Sequence, residues 1–178
     1  MPMTAPLDPP LPPPAARPTA RFMLGHPARI VALGFGSGLS PVAPGTAGTL
    51  FAWASYLLLL KRLSTLEVGV LIAVSLAVGW WACARTADEM QVLDPGSIVW
   101  DEVAAFWIVL WLVMPAGFWT QLTAFLLFRA FDAIKRGPVG WADKLFHGFG
   151  WRGGLGIMFD DLVAAFCALL VIAAWRCW

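Results

Sequence analysis

The run Leu66 to Ala84, LEVGVLIAVSLAVGWWACA, constrains the chain more than any other feature: its 19 residues carry a single charge, Glu67, at one edge. A bilayer offers no water to bond backbone amides and carbonyls, so such a run must be a helix, and about 20 residues suffice to cross the hydrocarbon. Four further apolar runs, Leu50 to Leu60, Val103 to Met114, Phe118 to Phe128 and Leu162 to Trp175, are 11 to 14 residues each. They reach spanning length only if flanking residues join their helices. The MPAG turn at Met114 to Gly117 interrupts what would otherwise be one long helix, because proline removes a backbone donor, and it predicts a helical hairpin. With 60% hydrophobic residues, 13% charged and a mean hydropathy of +0.74, the chain reads as an all-α integral membrane bundle of about five short apolar helices.

Residues 1–21 hold eight of the fourteen prolines, including PPLPPP at Pro9 to Pro14. They cannot bury enough apolar surface to offset ordering entropy, which predicts a disordered, proline-rich tail before a membrane-embedded domain over 22–178. No apolar core of signal-peptide length precedes Arg21, so the tail is expected in the cytoplasm.

Net charge is +1 and no run of Lys and Arg forms a phosphate-tracking stripe, which argues against nucleic acid as a partner. The cysteines Cys83, Cys167 and Cys177 lie outside any CxxC spacing, and His26 and His147 are too isolated for a zinc site. Folding the five runs as hairpins places Arg17, Arg21, Arg29, Arg85, Arg129, Lys135, Arg136, Lys144 and Arg152 on one face, against Lys61, Arg62 and Arg176 on the other. Nine against three makes the first face cytoplasmic.

Ten of the eleven acids fall on that same face, all but Glu67. Asp101 and Glu102 stand immediately before an apolar run, Asp132 follows one, and Asp160 and Asp161 precede another. An acid at a helix N-terminus can be a simple cap, worth a few tenths to about 1 kcal/mol. Two adjacent acid pairs and a third site converging near lipid are better explained by a cation, since like charges brought together there cost free energy. Magnesium, which uses few carboxylates and completes its shell with water and phosphate, suits a site that must admit a substrate. Arg129 and Lys135, three residues before and three after Asp132, can orient a phosphate or pair with Asp132.

The stretch GFGSGLSPVAPGTAGTL, Gly34 to Leu50, adds a second candidate anion site. Its glycines let backbone amides turn toward one point, Ser37, Ser40, Thr46 and Thr49 supply hydroxyls, and Gly48-Thr49 is expected to open a helix whose positive end favours an anion. It lacks the Gly-Lys-Ser/Thr of a nucleotide-binding loop. The alternative is a loop shaped by glycine and proline for close helix packing.

Taken in order, GFGSGLSPVAPGTAGTL, LDPGSIVWDEV, FRAFDAIK and GGLGIMFDDLVAA resemble the blocks of the phosphatidylglycerophosphatase A family over most of residues 30–166. Two departures stand out: Arg136 follows Lys135 where the family usually has proline, which comes here at Pro138, and Ala104 stands where glycine often follows the acid pair. The resemblance implies a multi-pass enzyme of the bacterial inner membrane that hydrolyses the lipid phosphatidylglycerophosphate to phosphatidylglycerol with Mg²⁺. It implies catalytic and metal-binding roles for Asp101, Glu102, Asp132, Asp160 and Asp161, with Arg129, Lys135 and the hydroxyl loop binding substrate. Water attack and an aspartyl-phosphate intermediate both fit such a site. Two rival readings stand beside it: a small cation-binding or transport protein with acids lining an ion path, and an enzyme of another lipid phosphate.

Overall fold

The computed structural model describes residues 17–134, 137–146 and 148–177. It is all-helical over those residues. Two short helices, α1 (Ala20–Leu24) and α2 (Pro27–Ala32), lead into a tight 3₁₀ segment, Gly34–Leu39, and then α3 (Pro44–Leu58). A 3₁₀ turn at Leu60–Arg62 joins α3 to α4 (Thr65–Met90), followed by α5 (Trp100–Val113), α6 (Phe118–Ile134), the short α7 (Pro138–Leu145) and α8 (Gly150–Arg176). Of the residues expected to form a disordered tail, 1–16 lie outside those described, while Ala20 and Arg21 open α1.

The run from Leu66 to Ala84 is the body of α4, extended at both ends. Its start is fixed by a capping box: the Ser64 hydroxyl accepts from the Glu67 amide at 3.3 Å, and the Glu67 carboxylate accepts from the Ser64 amide at 2.7 Å. Glu67, the one acid placed on the far face, is therefore a cap. The run Leu162 to Trp175 proves to be only the distal part of α8, a helix of 27 residues. Helices α4 and α8 are both long and apolar enough to cross a membrane. On α4, Leu66, Val70, Val74 and Val78 stay exposed along one i,i+4 stripe, an apolar exterior that a water-facing helix would replace with charge. Between α5 and α6, Met114 to Gly117 form the connection expected of a helical hairpin.

The helix α8 is the hub, packed against α4, α5, α6 and α7. Its first turns contain GGLG, Gly153 to Gly156, which reads as a break yet stays helical because α4 comes so close. A Cβ on Gly154 would lie 2.8 Å from the Ala84 amide nitrogen, inside van der Waals contact with backbone. Phe106, Leu110 and Phe128 are buried at the centre, on α5 and α6. The tryptophans that tie this core together also find acceptors: the Trp107 indole donates to Ala52 O at 3.1 Å, Trp100 to Ser75 O at 3.1 Å and Trp53 to Gln121 Oε1 at 2.7 Å.

Candidate active site

Four elements bring the acids together. Asp101 and Glu102 occupy the first turn of α5, where Val99 precedes them without a side-chain cap and the Glu102 amide donates to Asp101 Oδ1 at 3.0 Å. Asp132 lies near the C-terminus of α6, the end at which a carboxylate is disfavoured by the helix dipole. Its charge is answered by Arg129 one turn earlier, which donates to it and, at 3.5 Å, to Glu102 Oε1. The α3 N-terminus closes the site from the fourth side through Ala43, Pro44 and Gly45.

Asp160 and Asp161 depart from the expected position. They do not precede a helix; α8 begins at Gly150, and the pair sits about three turns inside it. The apolar run starts only at Leu162, whereas the helix that carries it begins at Gly150, its glycines serving the approach of α4. Neither residue can be a helix cap.

All five carboxylates line one cavity of about 280 Å³, together with Arg129. All five are buried. Asp101, Glu102 and Asp161 each present a carboxylate oxygen within 4.8 Å of the others, a spacing at which one cation can be shared. Glu102 Oε2 and Asp161 Oδ2 are buried with no hydrogen-bond partner among the described residues. Buried carboxylate oxygens are ordinarily satisfied, so these two fit a cation better than they fit a capping role. Burial pushes the Asp101 carboxyl well above its ordinary range, with the charges of Glu102 and Asp161 adding to the effect. Burial likewise raises Glu102 to about 7, reinforced by Asp132 and opposed by the Asp101 hydrogen bond and by Arg129.

The hydroxyl loop is built differently from the expectation. Helix α3 starts at Pro44, so Gly48-Thr49 lies in its second turn and opens nothing. Ser37 donates to Gly34 O at 2.8 Å, Ser40 to Val42 O at 2.8 Å and Thr49 to Gly45 O at 2.9 Å, each shaping its own backbone. Thr49 Oγ1 also accepts from Arg129 at 3.5 Å and so steadies the guanidinium. Ser37, Ser40, Thr46 and Thr49 are not on the wall of the carboxylate cavity; Ala43, Pro44 and Gly45 are. The glycine content has a local reason at Gly45, where a Cβ would meet Glu102 Oε1 and lie 3.1 Å from Arg129 Nη2. Lys135 lies outside the described residues.

One wall residue escaped sequence reasoning. Asp94, between α4 and α5, lines the carboxylate cavity and the two beside it. Its setting, Asp-Pro-Gly, reads as an ordinary turn and gives no sign of a site.

The chain is similar in sequence to proteins already known. The family model for phosphatidylglycerophosphatase A matches residues 30–176. A phosphatidylglycerophosphatase A of Escherichia coli is 39% identical over 146 residues, covering 82% of this chain and 81% of its own. One from Haemophilus influenzae is 39% identical over 154 residues, covering 86% and 91%. A Bacteroides thetaiotaomicron protein provisionally named a phosphatidylinositol-3-phosphatase is 36% identical over 154 residues, covering 83% and 92%. No solved structure matches the chain.

Proposed function

The chain belongs to the phosphatidylglycerophosphatase A family, a family of phosphatases, and we propose that it hydrolyses the terminal phosphate of phosphatidylglycerophosphate to give phosphatidylglycerol, with Mg²⁺ as cofactor. The observation that carries the reading is the trio Asp101, Glu102 and Asp161, mutually within reach of one cation, with two orphaned oxygens on the wall of a cavity that Arg129 shares. These three side chains would hold the metal. When bound, Mg²⁺ neutralises charge on the phosphoryl oxygens and lowers the pKa of water.

The remaining steps fall to the chain's own groups. Arg129, held by Asp132, Glu102 and Thr49, presents a fixed cation to a phosphate oxygen. We assign to Asp160, beside the trio on the same wall, the acceptance of a proton from the attacking water. The water oxygen bonds to phosphorus, the ester P–O bond breaks, and the departing glycerol oxygen takes up the proton that Asp160 accepted, which regenerates the carboxylate. Asp132 positions Arg129.

The membrane reading rests on α4 and α8. The exposed residues Trp151 and Trp175 on α8 are 24 positions apart, about 36 Å at 1.5 Å per residue, enough to set one tryptophan at each interface of a bilayer. The nine-to-three distribution of basic residues supports placing the site toward the cytoplasm in a bacterial inner membrane. The Bacteroides relative's name keeps a second reading in view, a phosphomonoester on an inositol lipid. Phosphate release from a panel of short-chain phosphatidylglycerophosphate, phosphatidate and phosphatidylinositol 3-phosphate decides between them. The proposal requires that the first be preferred.

A further inference from the structure

A second cavity, about 320 Å³, lies against the carboxylate cavity and shares Pro44, Asp94 and Gly96 with it. Its apolar wall comes from four prolines with Met90 and Val92, glycines and serines lie between them, and it carries one basic residue, Arg17. Arg17 is exposed and forms no ion pair among the described residues. Ser40, whose hydroxyl hydrogen goes to Val42 O, sits on this wall and not on the carboxylate one.

We infer that this second cavity is the subsite for the phosphodiester and glycerol of the lipid headgroup, with Arg17 as its diester-binding residue and Asp94 as the acceptor for the glycerol hydroxyl where the two cavities meet. The inference rests on the lipid phosphomonoester reading above. Its logic is one of connectivity: the substrate carries a monoester and a diester joined by three carbons with a hydroxyl between them, and two abutting cavities carry a cation-binding acid trio in one and an arginine in the other. An apolar pocket with few polar groups suits a carbon chain that must be oriented at both ends. A guanidinium presents paired donors to phosphate oxygens, while a carboxylate can only accept, so the diester belongs with Arg17 and the hydroxyl with Asp94.

Three constants separate this assignment from a role for Arg17 elsewhere. Short-chain phosphatidylglycerol carries the diester without the monoester and reads the second cavity as a product inhibitor, whereas inorganic phosphate reads the carboxylate cavity. Arg17→Ala is expected to raise KM for short-chain phosphatidylglycerophosphate and Ki for phosphatidylglycerol by the same factor, about tenfold for one charge-assisted contact at a partly exposed site, with Ki for phosphate unmoved. Arg17→Lys should fall between the two. Unchanged KM and phosphatidylglycerol Ki, or a phosphate Ki that shifts in parallel, would overturn the assignment. A wild-type chain that released no phosphate would refute the activity instead, and calorimetric binding of phosphatidylglycerol to wild type and Arg17→Ala would still decide the subsite.

Discussion

Gly45 on α3 and Glu102 on α5 meet so closely that a methyl group at position 45 would occupy the place of Glu102 Oε1. The contact couples the glycine-rich stretch to the acid cluster through shape, beside the Thr49 hydroxyl that accepts from Arg129. Glu102 is the flexible partner, so Gly45→Ala is expected to rotate its carboxylate away from Arg129 and from Asp161. Phosphate release should fall tenfold or more. Thermal stability in detergent should fall less than in Arg129→Ala, because Arg129 and Asp132 remain paired. A variant that melts early and loses activity only in proportion would refute the shape argument.

Metal removal gives a second test. With Mg²⁺ in hundredfold excess over its Kd, ligand linkage contributes about 2.7 kcal/mol, or roughly 5 to 10 °C at 2–4 °C per kcal/mol for a chain of this size. Chelation should lower the wild-type Tm by that order. Asp161→Asn removes one of three mutually close buried carboxylates, so in chelator it should melt no lower than wild type and should respond weakly to added Mg²⁺. Differential scanning fluorimetry with and without chelator reads both effects.

Arg129→Ala leaves Asp132 buried at the disfavoured end of α6 and Glu102 without its cation. Removing one partner of a buried pair costs about 3 kcal/mol or more, so both Tm and activity should drop. Arg129→Lys should recover the Tm in part and the activity much less, because a point charge cannot hold Glu102, Asp132 and Thr49 at once. Equal recovery of the two would contradict a phosphate-binding role that depends on the guanidinium's shape.

Gly154→Ala tests the close approach of α4 and α8. Its methyl would press on the backbone of Ala84, which cannot rotate aside. A cost of about 1 to 3 kcal/mol is expected from overpacking, measured as a lower Tm, with kcat of the folded enzyme little changed. An unchanged Tm would show that the helices separate easily.

The legible and illegible parts of the sequence divide along physical lines. The apolar helix at Leu66 to Ala84, the turn at Met114 to Gly117 and the grouping of Asp101, Glu102, Asp132, Asp160 and Asp161 are readable because composition and local chain chemistry determine them. The helical state of GGLG is not, because it depends on Ala84, seventy positions away, and so the length of α8 and the depth of Asp160 within it were missed. The hydroxyls of Ser37, Ser40 and Thr49 looked available, but a short polar side chain bonds its nearest backbone first, as these three do. Asp94 gives no local signal, because its neighbours spell a turn and its cavity is formed by residues distant in sequence.

The most direct test is phosphate release from phosphatidylglycerophosphate by the purified full chain in detergent, with Mg²⁺ and then with chelator, for wild type and Asp160→Asn. The account predicts release that requires Mg²⁺ and that collapses in Asp160→Asn while the variant's Tm still rises with Mg²⁺, as fits a proton acceptor beside an intact metal trio. A folded wild type that releases no phosphate at any Mg²⁺ concentration, or an Asp160→Asn variant of undiminished rate, would contradict it.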